Sequence, residues 1–128
     1  MQNTDAERVP ASPVKLEDAS ELDENIKEAG TDEVILIQFT ATWCKRCEVL
    51  KKEISERLDA PFRWLLVDVE QIHELVERFS VVTMPRLDVY CGGKTTSVES
   101  FDAKIENIVR MIEDAQKTRP SLQLDDDF

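Results

Sequence analysis

Three cysteines in 128 residues are too few for a disulfide framework, and an odd number leaves at least one outside any pairing within the chain. Cations are also short. Lys and Arg total 16 against 27 Asp and Glu, a formal net charge of −11. That balance argues against nucleic acid or an anionic membrane as the main partner, because both reward clustered positive charge. No apolar run approaches the roughly 18 residues that span a bilayer. The first 13 residues are polar and lack the apolar segment of a secretory signal. Internal repeats and low-complexity linkers are missing too. What remains, with 41% hydrophobic residues to build a core, is the expectation of one small, acidic, cytoplasmic domain.

Its organisation follows from where the hydrophobic pattern changes period. Residues 1–13 carry two prolines and no periodicity, and residues 118–128 end in Asp125-Asp126-Asp127-Phe128; both read as solvated tails around a domain at 14–117. Val14-Lys15-Leu16 is a short strand. Residues 21–29 form a helix, with Ser20 as its N-cap and Gly30 as its stop. Residues 34–39 are apolar except for Gln38, which suits a strand covered on both faces. A helix over 47–58, a strand over 62–69 and a short helix over 72–79 follow. Strands at 87–90 and 95–98 are joined through Gly92-Gly93, a favourable hairpin turn. Ile105, Ile108, Val109 and Ile112 then form the stripe of a last helix. Strands alternating with helices predict a central mixed sheet with helices on both faces.

Trp43-Cys44-Lys45-Arg46-Cys47 falls where the buried strand ends and a helix begins. Helix N-termini present unpaired N–H groups and partial positive charge, and both stabilise a thiolate. Cys44 in the first turn gains this effect, and Cys47 lies on the same face one turn later. A Cys44 thiolate can attack a partner disulfide, after which Cys47 displaces the reduced partner. Lys45 and Arg46 add two cations beside the nucleophile and tune it further toward thiolate. Blander readings are half a zinc site or a pair of structural cysteines. Zinc would need two more ligands, and the candidates, Cys91 and His73, are distant and unpaired in spacing. No metal is therefore expected, and His73 is given no role. Cys91 stands between an inert surface thiol and a site of intermolecular disulfide or glutathione attachment. Trp43 is expected to pack against the motif, Trp64 to lie in the core or on the sheet surface, and Asp88 to point outward.

The segment from Phe39 to Cys47 resembles the thioredoxin family's F-x-A-x-W-C-x-x-C. Val82-Thr83-Met84-Pro85, whose proline stands 38 residues after Cys47, is similar to that family's cis-proline loop. The resemblance covers residues 14–117. It implies a thioredoxin fold: α/β, a mixed sheet of about five strands flanked by about four helices. It implies a redox-active Cys44–Cys47 disulfide and no other cofactor, with Cys44 as nucleophile and Cys47 as resolver. Substrate docking would run along Trp43, Met84 and Pro85, with a cis Met84–Pro85 bond and an exposed Cys91.

Several positions depart from the family pattern. Lys45-Arg46 replaces the usual Gly-Pro, which should loosen the second cysteine's turn, favour thiolate and give a more oxidising pair. A buried Asp five residues ahead of the motif's Trp is here Gln38, and its Lys partner would fall near Leu66. Both charges are gone together, as expected of groups costly to bury alone. Gln38 cannot help to deprotonate Cys47, so mixed disulfides on Cys44 should be long-lived. Arg86 follows Pro85 where the family commonly has Thr, and is expected to place another cation beside the docking surface. The family's glycine after the last strand is missing.

Two functions fit these residues. One is thiol–disulfide exchange with protein disulfides or thiols, regenerated by a thioredoxin reductase or glutathione. The other is a redox-sensing subunit of a larger assembly, of the kind found as thioredoxin-type light chains of axonemal outer-arm dyneins, bound to a dynein heavy chain in a cilium or flagellum. Charge adds one expectation. Residues 43–52 hold Lys45, Arg46, Lys51 and Lys52 against Glu48 alone, whereas residues 14–33 hold two lysines against eight acids. A basic rim around the thiol predicts a partner that is acidic near its reactive cysteine.

Overall fold

The computed structural model describes residues 11–59 and 61–117. Of the two expected tails, residues 1–10 and 118–128 lie outside the described residues. Ala11 is buried and donates its N–H to the Leu58 carbonyl at 3.2 Å.

The chain runs β1 (Val14–Lys15), α1 (Ala19–Ala29), β2 (Ile35–Thr40), α2 (Lys45–Arg57), β3 (Arg63–Asp68), α3 (His73–Arg78), β4 (Arg86–Cys91), β5 (Lys94–Glu99), a 3₁₀ turn (Ser100–Asp102) and α4 (Ile105–Lys117). This is the order expected from the hydrophobic pattern. Five strands form one sheet in the order β1-β3-β2-β4-β5. β1 and β2 lie parallel to β3, while β4 runs antiparallel to both β2 and β5. Gly92 and Gly93 turn the β4–β5 hairpin with φ of 58° and 86°, the left-handed region that a two-residue turn of this kind requires.

Side chains alternate across β2 and so divide the core in two. Leu36, with Trp64, Leu66, Leu87 and Val89, packs under α2 and α4 through Leu50, Ile54, Ile108 and Ile112. Ile35, Ile37 and Phe39, with Leu65 and Val67, pack under α1 and α3 through Leu22 and Leu75. The sheet is thereby covered on both faces, which is why β2 reads as a nearly continuous apolar run. Ile54 is fully buried between α2 and the sheet. Ile54→Ala should therefore lower unfolding free energy by about 2–5 kcal/mol, seen as a lower urea midpoint at unchanged slope.

Two local expectations are corrected. Asp18, not Ser20, caps α1: its carboxylate accepts the Glu21 N–H at 3.1 Å, and the Ser20 hydroxyl donates to that carboxylate at 2.6 Å. The helix starts at Ala19 because Asp18 is already extended, with φ of −154°. Those two donors also hold the Asp18 carboxyl below the usual carboxylate range.

Candidate active site

The buried strand β2 leads through Ala41 into a tight turn, where the Cys44 N–H donates to the Ala41 carbonyl at 3.1 Å. α2 begins immediately after it. Cys44 is the N-cap of α2, one position earlier than the first-turn placement expected from the sequence, and Cys47 is its third helical residue. In this place the Cys44 sulfur itself does what a capping Ser or Asp oxygen does: it accepts the Cys47 N–H at 3.3 Å. A thiolate is stabilised by the same donor and by the positive end of the helix.

Cys44 and Cys47 are joined as a disulfide with Cα atoms 5.3 Å apart. Their access to solvent differs. Cys44 keeps 6% of its surface and Cys47 none. Ala41, Cys44 and Cys47 form a small buried cluster, with Val69 and Met84 packed against it. The Cys47 sulfur lies 3.7 Å from the Phe39 carbonyl oxygen.

Beneath this pair lies Gln38, fully buried. Its Nε2 donates to the Cys47 carbonyl at 3.1 Å, and its Oε1 accepts from the Trp64 indole N–H at 3.1 Å. Leu66 is the register partner of Gln38 on β3, where the family's Lys was placed. Trp64, two residues along the same face, supplies the polar contact instead. Among the described residues the one buried charged side chain is Asp88, and it lies on the other face of the sheet, opposite Ile37. Cys47 therefore has an amide beside it and no buried carboxylate.

Met84 and Pro85 bring the β4 end of the site against the disulfide through Met84, and the Met84–Pro85 peptide is cis. Trp43, next to Cys44 in the chain, is 61% exposed, and Val82 is 82% exposed. Lys45 and Arg46 are exposed on the first turn of α2. Of the other two cations in the basic rim, Lys51 is drawn to Glu48 at 3.5 Å. On the opposite side of the motif, the Thr42 hydroxyl donates to Glu70 at 3.4 Å.

Two further expectations are overturned. Asp88 does not point outward: it is 2% exposed in β4, which pairs on both sides. Burial pushes its carboxyl above the usual carboxylate range, and Arg86 offsets only part of that rise. Arg86, in turn, is no added cation on the docking surface. Its side chain is 11% exposed and folded inward, with Nε 2.7 Å and Nη2 3.2 Å from the two Asp88 oxygens. The physical reason is shared: residues two apart on a strand project to one face, and an Asp inside an apolar strand is tolerable only when paired there.

Cys91 is half-buried and not fully exposed as expected, with its sulfur 3.9 Å from the Thr31 carbonyl. His73 opens α3 and is exposed. Among the described residues, no three His, Cys, Asp or Glu side chains gather in a way that would hold a metal ion. No helix among them is long and apolar enough to cross a membrane.

Residues 13–114 match the family model "Thioredoxin". The chain is 33% identical over 84 residues to Thioredoxin-2 of Saccharomyces cerevisiae, covering 62% of this chain and 77% of that one. It is 32% identical over 104 residues to thioredoxin of Staphylococcus saprophyticus, covering 78% of this chain and 94% of that one. Among solved structures, reduced Schistosoma mansoni thioredoxin pre-protein superposes with a TM-score of 0.69 at 24% identity, over 81% of this chain and 98% of that one.

Proposed function

The chain belongs to the thioredoxin family, and we propose that it exchanges disulfides with protein partners through Cys44, with Cys47 as the resolving thiol. The observation that carries this reading is the disulfide at the head of α2, whose helix-capping cysteine keeps a little exposed surface while its partner keeps none. In the reduced protein the Cys44 thiolate attacks one sulfur of a partner disulfide. A Cys44–partner disulfide forms, and the other partner sulfur leaves as thiolate. Cys47 then gives up its proton and attacks the Cys44 sulfur. The Cys44–Cys47 bond forms, the second partner sulfur leaves, and two electrons have passed to the partner. A thioredoxin reductase or a thiol such as glutathione returns them. Trp43, Met84 and Pro85 would seat the partner's chain around the attacked bond.

The second reading, a redox-sensing subunit of an assembly such as an axonemal dynein, rests on Gln38 and on Lys45-Arg46. The relatives named above are themselves thioredoxins, which favours the exchange reading. Reduction of insulin disulfides by the purified protein with dithiothreitol tests it. Turnover well above the dithiothreitol background is expected, and a rate equal to that background would refute general exchange. Capture of a covalent partner by Cys47→Ser from the cell of origin then names the physiological substrate.

Besides favouring the Cys44 thiolate, the basic turn should speed encounter with a partner. Replacing Lys45 and Arg46 together by Gln is expected to slow attack on an acidic protein disulfide about three- to tenfold at low salt, with the gap closing as screening increases. Stopped-flow rates across a salt series measure this. Equal rates at every ionic strength would show the rim to be incidental.

A further inference from the structure

Residues 80–85 connect α3 to β4 and bring Met84 against the cysteine cluster, so the placing of this loop decides what a partner chain meets beside Cys44. On one side Phe79, Val81 and Met84 pack it against the core. A cavity of about 330 Å³ separates the loop from β5, lined by Phe79, Ser80, Val82, Arg86, Ser97 and Glu99 among others. The polar ties around that space are one backbone bond and the contacts of one side chain.

Arg86 is the first residue of β4 and directly follows Pro85. Its fork holds both oxygens of buried Asp88. The same guanidinium donates from Nη1 to the Ser80 carbonyl at 3.4 Å and lies 3.6 Å from the Glu99 carboxylate on β5, its register partner. Both ends of the system are residues in unusual conformations. Ser80 has φ of 54° and Ser100 has φ of 57°, a region that non-glycine residues occupy only when their surroundings hold them there. Arg86 holds the Ser80 carbonyl, and the Ser100 N–H donates to the Pro85 carbonyl at 2.8 Å. One side chain therefore links the start of the loop, the strand it enters and the β5 end beside it. Phe101, 84% exposed, follows Ser100 directly.

We propose that Arg86 is a positioning residue for exchange with polypeptides: through Asp88, Ser80 and Glu99 it fixes residues 80–85 and the Ser100 turn, and so shapes the surface against which a partner chain lies while its disulfide meets Cys44. This rests on the exchange reading above and adds to it a residue that touches neither sulfur. A Lys at 86 carries the same charge on a single ammonium and cannot make the planar fork to Asp88 while also reaching Ser80 and Glu99.

The experiment compares single-turnover attack by the reduced protein on insulin, a polypeptide disulfide, and on 5,5′-dithiobis(2-nitrobenzoate), a small one that needs no docking loop. The variants are Arg86→Lys and the double substitution Arg86→Met/Asp88→Leu, which removes the buried pair without leaving an unpaired charge. Thermal melts identify the folded variants. In a folded variant the insulin rate is expected to fall about tenfold, with the small disulfide reacting within about twofold of wild type. An unchanged ratio of the two rates in either folded variant would overturn the proposal. Loss of both rates together would do so as well, since it places Arg86 in general stability. A wild-type protein that attacks neither disulfide would remove the exchange reading itself, and the role of Arg86 with it.

Discussion

Cys44→Ser is expected to lower insulin reduction by at least about 10³-fold, to the background given by dithiothreitol alone, whereas Cys47→Ser should keep the first attack and lose only the second. The asymmetry follows from position. Cys44 caps α2, accepts the Cys47 N–H and keeps some exposed surface, while Cys47 is sealed among Ala41, Cys44, Val69 and Met84. A thiolate at Cys44 is both stabilised and reachable. One at Cys47 would be stranded from any protein disulfide in solvent. Mass spectrometry of each reduced variant after mixing with a protein disulfide checks the assignment. A covalent adduct should accumulate on Cys47→Ser and be absent from Cys44→Ser. Comparable adducts on both variants would show that either sulfur attacks, and the assigned order of steps would fall.

The pattern of strands and helices was legible because each element states its period in its own residues. β2 reads as a buried strand through Ile35, Leu36, Ile37 and Phe39. The last helix declares its face through Ile105, Ile108 and Ile112, all of which are buried. The cysteine pair was legible for a related reason: its placement at a strand-to-helix junction is itself a sequence feature. What was not legible depends on register. Gln38 stood out as the one polar residue in an apolar run, and a buried amide demands partners. That Trp64 meets it follows only from the alignment of Gln38 with Leu66 on β3, which places Trp64 two residues along the same face.

Asp88 and Arg86 show the same limit from the other side. An acid in a six-residue strand reads as outward-facing when the strand's neighbours are unknown. β4 is flanked by β2 and β5, and its Asp88 face lies against Ile37, so the carboxylate has nowhere to go but to Arg86. A charged pair at i and i+2 within an otherwise apolar strand is the available signal for this arrangement. Asp18 and Ser20 are both good caps for α1, and only the extended backbone at Asp18 distinguishes them.

Gln38→Glu should separate two roles of the buried amide by pH. The substitution keeps length and shape. One carboxyl oxygen can go on accepting from the Trp64 N–H, but the other takes the place of Nε2, 3.1 Å from the Cys47 carbonyl oxygen. Two acceptors at that distance repel, so the new carboxyl must keep its proton and donate. Desolvation favours the neutral form as well, and both effects raise its folded-state pKa above the unfolded value of about 4.3. The sign follows directly. Below about pH 4 the carboxyl is protonated whether the chain is folded or not, and the variant should be nearly as stable as wild type. As pH rises further, the unfolded chain ionises first, and the variant loses about 1.4 kcal/mol per pH unit until the folded pKa is reached. Gln38→Leu offers the contrast. It leaves the Trp64 N–H without its partner, which costs about 1–3 kcal/mol at every pH, while the Cys47 carbonyl keeps the helical N–H bond that its place in the first turn of α2 gives it. Urea unfolding of the three proteins between pH 4.5 and 7.5 reads both effects, and a Gln38→Glu curve parallel to wild type would show that the amide is not sealed. The same variant reports on resolution. Wild-type Gln38 can take no proton from Cys47, whereas an ionised carboxylate beside it can. Release of a partner from the Cys44 mixed disulfide should therefore speed up by about tenfold or more as the introduced group ionises. An unchanged release rate across that range would mean that deprotonation of Cys47 does not limit exchange in this protein.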